Sequence, residues 1–206
     1  MFVQSLTQFM TPPQLQKIRE KNIGIIGAGG LGSNCANHLV RSGFMHFIIA
    51  DDDVVEPSNL NRQFYFLDQV GQKKVLALQA NLQRINPEVS ITPLIQKITK
   101  QNCLSLFQTC DIVIEAVDQA ALKVELAKIF HQQSLLYITA SGMAGTGDTD
   151  KIQTRKISNK FYIIGDMGKD VSLENPPFSP KVGIVAAKEA DVVLHYVLEE
   201  SDEWVY

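Results

Sequence analysis

Three glycines, Gly27, Gly29 and Gly32, stand in the spacing G-x-G-x-x-G, with a further glycine at Gly30. Set between a strand and a helix, such a turn leaves backbone N–H groups at the helix N-terminus free to receive phosphate oxygens. Asp51 ends the next apolar run, where a carboxylate can accept hydrogen bonds from ribose hydroxyls. Close packing of strand on helix would by itself explain glycines in a turn, but Gly30 is one more than that packing requires. The turn alone does not choose between a nicotinamide dinucleotide and ATP. Further along, Arg62 offers a planar fork of donors for phosphate oxygens, and Lys74 a compact positive charge. Asp118 follows another apolar run, at a carboxyl end where open α/β sheets bind their ligands.

These groups need elements to hold them. Thr11-Pro12-Pro13 reads as a helix start, with a short polar helix to about Lys21. Asn22 to Gly27 is apolar without alternation, as in a parallel strand buried on both faces. A helix then runs through about Arg41 and stops at Ser42-Gly43. The strand His46 to Asp51 leads into a long polar loop, Asp52 to Asp68, and the helix Val70 to Ile85, which Asn86-Pro87 terminates. Strand Val89–Leu94, helix Lys100–Phe107, strand Asp111–Ala116, helix Ala120–Gln133 and strand Leu135–Thr139 continue the alternation. The rhythm predicts an α/β, doubly wound, Rossmann-like sheet that is mostly parallel. After Ala140 it breaks: Ile152–Ile157 and Phe161–Ile164 predict an antiparallel C-terminal extension. A polar loop, Gly165 to Pro180, and an apolar helix, Val182 to Leu198, close a chain expected to form one domain over residues 1–206.

The motifs in combination are more specific than the turn. GAGGLGS (Gly27 to Ser33), a strand ending in D-x-D (Asp51, Asp53), SNLNRQ (Ser58 to Gln63) and GQKK (Gly71 to Lys74) together resemble the ThiF/MoeB family, the bacterial relatives of ubiquitin-activating enzymes. The resemblance runs from about Lys21 to Leu198, and ASGMAG (Ala140 to Gly145) and FYIIGD (Phe161 to Asp166) resemble the short ThiF subgroup. It implies an ATP-dependent adenylyltransferase acting on the C-terminal glycine of a small ubiquitin-like sulfur carrier protein ending in Gly-Gly, in thiamine thiazole synthesis. Arg62, Lys74 and Asp118 match the catalytic positions, with Asp118 handling magnesium. Asp51 matches the ribose position. Ser58, Asn59 and Asn61 match the loop lining the phosphates, and Gln119 a neighbour of the magnesium aspartate. The resemblance also implies a homodimer.

Plainer roles stand beside these. Asp53 can cap the following turn. Lys73 and Lys74 are adjacent, and only the motif prefers Lys74. Asp118 can cap the helix that follows it. The four histidines are dispersed without ligand spacing, and Ser141 is not in a nucleophile elbow. The net charge of -3, with no dense basic cluster, gives no nucleic-acid footprint. The N-terminus does not read as a secretory signal, and no apolar run is long enough for a membrane span. With three scattered cysteines, Cys35, Cys103 and Cys110, a reduced, cytoplasmic setting is expected.

The chain departs from larger relatives in three ways. It has no C-x-x-C pairs, so no zinc is expected. It has no cysteine beyond Cys110 to form a thioester or persulfide, so the chemistry is expected to end at the adenylate. The R-Y-x-R-Q segment that reaches a partner's ATP is not visible. Competing readings are a molybdopterin-type carrier, the dehydratase branch acting on a tRNA-linked carboxylate, a non-catalytic nucleotide-binding partner, and an NAD oxidoreductase. The last is disfavoured by the long, polar, arginine-bearing loop after Asp51.

Overall fold

The buried run NIGII becomes strand β1 (Asn22–Ile26) in the computed structural model, which describes residues 2–168, 172 and 174–199. Two helices precede it: α1 (Phe2–Leu6), which the sequence reading did not foresee, and α2 (Pro12–Arg19). At the start of α2, the Thr11 N–H donates to Gln14 Oε1 at 2.9 Å, satisfying one of the orphan donors there. The elements then alternate: α3 (Gly30–Arg41), β2 (His46–Ala50), α4 (Lys74–Ile85), β3 (Ser90–Leu94), α5 (Cys103–Leu106), β4 (Ile112–Glu115), α6 (Ala120–Phe130) and β5 (Leu136–Ala140). Strands β6 (Gln153–Ser158) and β7 (Phe161–Gly165) follow, and α7 (Ser179–Leu198) ends the described chain.

All seven strands join one sheet in the order β3-β2-β1-β4-β5-β7-β6. Every pairing is parallel except β6 with β7, which is the expected antiparallel extension. Pro93 lies in β3, an edge strand, where a residue without an N–H is tolerated. Helices cover both faces. One face packs against Ile18 of α2, α3, α4 and α7, and the other against Phe107, Leu126 and Phe130 from α5, α6 and the segment between. Gly24 makes room for that second layer, since a Cβ there would stand 2.6 Å from Phe107 Cδ1. Among the described residues, no helix is long and apolar enough to cross a membrane.

Several boundaries differ from the expected ones: α5 begins at Cys103 rather than Lys100 and α6 ends at Phe130 rather than Gln133, and two further differences bear on the site. Helix α4 begins at Lys74, not Val70, because residues 70–73 pair backward: the Gly71 N–H donates to Val55 O, and Val54 bridges Lys73. Helix α7 begins at Ser179 and takes Pro180 into its first turn, where a proline costs nothing. The loop expected over Gly165–Pro180 is therefore shorter, and part of it lies outside the described residues.

Candidate active site

The order of the strands reverses between β1 and β4, and the turns after these two strands meet there. Gly27 has φ +96°, and a Cβ on it would stand 2.8 Å from the Ala116 carbonyl oxygen after β4. A Cβ on Gly32 would collide with the Gly27 carbonyl oxygen. These two glycines let β1, β4 and α3 approach. Gly30, expected to exceed what packing requires, is also packed: its Cβ would stand 3.0 Å from Val182 Cγ1 and 3.6 Å from Arg62 Cγ. Gly29 alone faces open space, with only Gln63 Nε2 within 4.0 Å. It is also the N-cap of α3, where no side chain caps the first-turn amides. The positive end of a helix of 12 residues therefore opens beside Gly29.

Asp51 leaves β2 pointing at this turn. Its Oδ2 accepts the Ala28 N–H at 2.7 Å and its Oδ1 the Asp53 N–H at 2.8 Å. Burial pushes its carboxyl above the usual range, against the pull of those two amides and of Lys74. Lys74 is buried and its Nζ sits 2.7 Å from Asp53 Oδ2, whereas Lys73 donates to the Asp52 carbonyl. The adjacent lysines differ in burial, Lys74 being buried and Lys73 half-buried, and Asp53 is the counter-ion of Lys74. Tyr65 ties this corner to the glycine turn, its hydroxyl donating to Ala28 O at 2.7 Å.

The loop after β2 is built on short 3₁₀ turns, Pro57–Asn59 and Leu67–Gln69. Asn59 is buried and accepts the Glu56 N–H at 3.1 Å, so its side chain shapes the loop. Ser58 is exposed. Arg62 lays its stem on Gly30, and its Nη1 donates to Asn61 Oδ1 at 2.7 Å and Ser58 O at 3.1 Å. Asn61 in turn reaches Pro177 O at 3.4 Å, on the segment before α7. That segment is tied down again where the Gly145 N–H donates to Pro176 O. Asn34 of α3 clamps the loop to the helix through Arg62 O at 2.8 Å.

Asp118 and Gln119 occupy the turn beside Gly27, both exposed. Asp118 accepts no hydrogen bond among the described residues, and Gln119, not Asp118, stands at the N-cap of α6. Several residues of this region went unforeseen. Gln63 is buried beside Gly29 with an unpartnered Oε1, Glu115 lies beneath the Asp118 turn, and Lys181 pairs with Asp166 at 2.9 Å. The Asp166 carboxyl stays below its usual range because the Lys181 ammonium and the Gly168 N–H outweigh burial. Gln63 was visible as the end of SNLNRQ and Asp166 as the end of FYIIGD, but Glu115 and Lys181 had no local signal.

A family model described as ThiF family matches residues 3–202. The chain belongs to the ThiF family. It is 32% identical over 133 residues to the sulfur carrier protein ThiS adenylyltransferase of Escherichia coli strain K12, covering 64% of this chain and 53% of that protein. It is equally 32% identical over 146 residues to the tRNA threonylcarbamoyladenosine dehydratase of Bacillus subtilis strain 168, covering 70% of this chain and 58% of that protein. The chain spans little more than half the length of these two relatives. Among solved structures, the fold matches E. coli tRNA N6-threonylcarbamoyladenosine dehydratase TcdA in complex with ATP, with a TM-score of 0.85 and 21% identity. The likeness covers 96% of this chain and 93% of that one. All seven strands and their helices therefore stand in a frame that the ThiF family shares.

Proposed function

We propose that this chain adenylates the C-terminal glycine of a small ubiquitin-like sulfur carrier protein ending in Gly-Gly, using ATP and magnesium. One observation carries the reading. At the crevice between β1 and β4, the open amides at Gly29 follow Gly27, which packs on the Ala116–Val117 turn leading to the exposed Asp118, and Arg62 lays its stem on the next glycine, Gly30. Donors, cation and an oxygen ligand are the groups that phosphoryl chemistry on ATP demands. Asp51, held by two amides, is the ribose acceptor, and Asp53 and Gln119 flank the site. Ser58 and Asn61 line the phosphates, while Asn59 shapes their loop.

The carrier carboxylate oxygen forms a bond to the α-phosphorus, the bond to the bridging oxygen breaks, and pyrophosphate leaves with its electron pair. Arg62 and Lys74 oppose the charge that builds on the phosphoryl oxygens. Asp118 fits a hard cation, being an exposed carboxylate with no competing partner; magnesium, when bound, neutralises phosphate charge. Cys35, Cys103 and Cys110 are all buried, and burial raises each thiol above its ordinary value, Cys35 well above it and Cys110 to about 12. The chemistry accordingly ends at the acyl-adenylate, and another protein delivers sulfur. Thiamine thiazole synthesis, a cytoplasmic setting and a homodimer belong to the same reading.

A second reading has an observation of its own. The dehydratase TcdA shares the fold over nearly the full length of both chains, so a tRNA-linked carboxylate is the rival substrate. Incubation with magnesium-ATP and either a Gly-Gly carrier or threonylcarbamoylated tRNA separates the two. Carrier-dependent pyrophosphate exchange with an AMP adduct on the carrier is expected. Turnover with the tRNA alone transfers the reading to the dehydratase branch, and turnover with neither ends both.

A further inference from the structure

Strand β4 is apolar from Ile112 to Ile114 and then ends in Glu115, which is completely buried. A buried carboxylate is costly unless every lone pair is used, and an aliphatic residue would pack here without that cost. Glu115 meets the cost with donors from three elements. Its Oε2 accepts the Thr139 hydroxyl of β5 at 2.5 Å. Lys123 of α6 donates to both oxygens, at 2.9 and 3.0 Å. Its Oε1 also accepts the Val117 N–H at 2.7 Å. That last bond begins where the sheet stops: the Ala116 N–H still pairs with Ile26 O, and the next amide turns back to Glu115. Asp118 follows directly.

The geometry points to Glu115 as a positioning residue that fixes the Ala116–Asp118 turn against β4, β5 and α6, so that the Asp118 carboxylate is presented to the magnesium nucleotide at one angle. It touches no substrate and acts through Val117. This rests on the reading of Asp118 as the magnesium ligand. The Thr139 hydroxyl and the Lys123 ammonium serve to hold the Glu115 side chain in one rotamer.

The test uses Glu115→Leu, which keeps volume and removes the acceptor, and Glu115→Asp, which restores a carboxylate able to accept an N–H two residues on. Amide hydrogen exchange at Val117 is read first, because it needs no activity. Losing a charge-assisted bond should speed it about tenfold or more in Glu115→Leu and leave it slow in Glu115→Asp. The magnesium concentration giving half-maximal pyrophosphate exchange is read second. It should rise severalfold in Glu115→Leu, with the KM for the carrier unchanged, and return with Glu115→Asp. If Glu115→Leu does not fold, Thr139→Val removes one donor and should shift both readouts in the same direction by less. Unchanged protection at Val117, or a loss of stability without a changed magnesium requirement, overturns the proposal. If the unsubstituted protein shows no exchange with any carrier, the adenylation reading fails, and Val117 protection still decides whether Glu115 holds the turn.

Discussion

At Gly32 a methyl group would meet the Gly27 carbonyl, while at Gly29 the nearest atom stands 4.0 Å from the place of a Cβ. The two alanine substitutions should therefore fail differently. Gly32→Ala is expected to lower stability by about 1–3 kcal/mol through overpacking, measured by urea denaturation. Gly29→Ala should fold normally and weaken ATP binding in a calorimetric titration, since the added methyl occupies the face left for phosphate. Asp118→Ala should abolish pyrophosphate exchange with the melting temperature unmoved; full activity in that variant would mean the metal is held elsewhere. The glycine spacing and Asp51 were legible because their partners are a turn or one strand away. The choice of Lys74 over Lys73 rests on the motif, and nothing in the sequence marks Lys74 as the buried one of the two. Glu115 was not legible, because two of its donors, Lys123 and Thr139, come from other elements.

The helices and strands were largely legible from apolar periodicity and from Gly and Pro punctuation, and the misplaced start of α4 has a specific cause. Residues 70–73 look like a first helical turn by composition, but Gly71, at φ +89°, turns them into pairing with Val54 and Val55. A long-range bridge of this kind leaves no periodic signature. The close fit of the residue after α5 to the sheet was likewise hidden, since a glycine in a strand does not name what lies above it. Phe107 fills that space over Gly24 and is almost wholly buried. Phe107→Ala should cost about 3–5 kcal/mol in a denaturant titration, as expected for an emptied aromatic site.

Across the whole molecule, among the described residues, one buried carboxyl is served by no hydrogen bond. Glu189 of α7 has neither oxygen partnered among the described residues. Burial pushes its carboxyl from the ordinary 4.5 up to about 8, with Lys123 opposing the rise and Glu115 adding to it. The folded state thus holds this proton more tightly than the unfolded chain does. The contribution of Glu189 to stability therefore falls as pH rises from about 4.5 to about 8 and is level above that. Glu189→Gln should remove this slope, so that the difference in urea midpoint between variant and parent widens across pH 5 to 8 in the variant's favour. A constant difference would mean the carboxyl titrates normally.

The margins of the sheet carry a last consequence. On one side Pro93 offers no N–H to a neighbour, and on the other β6 presents Arg155 and Lys156 beside its register shift. Backbone groups left open along such borders are what allow folded copies to zip together in crowded solution. Here one border is interrupted and the other is charged, so a protein with an extended seven-stranded sheet is defended against aggregating through its own edges.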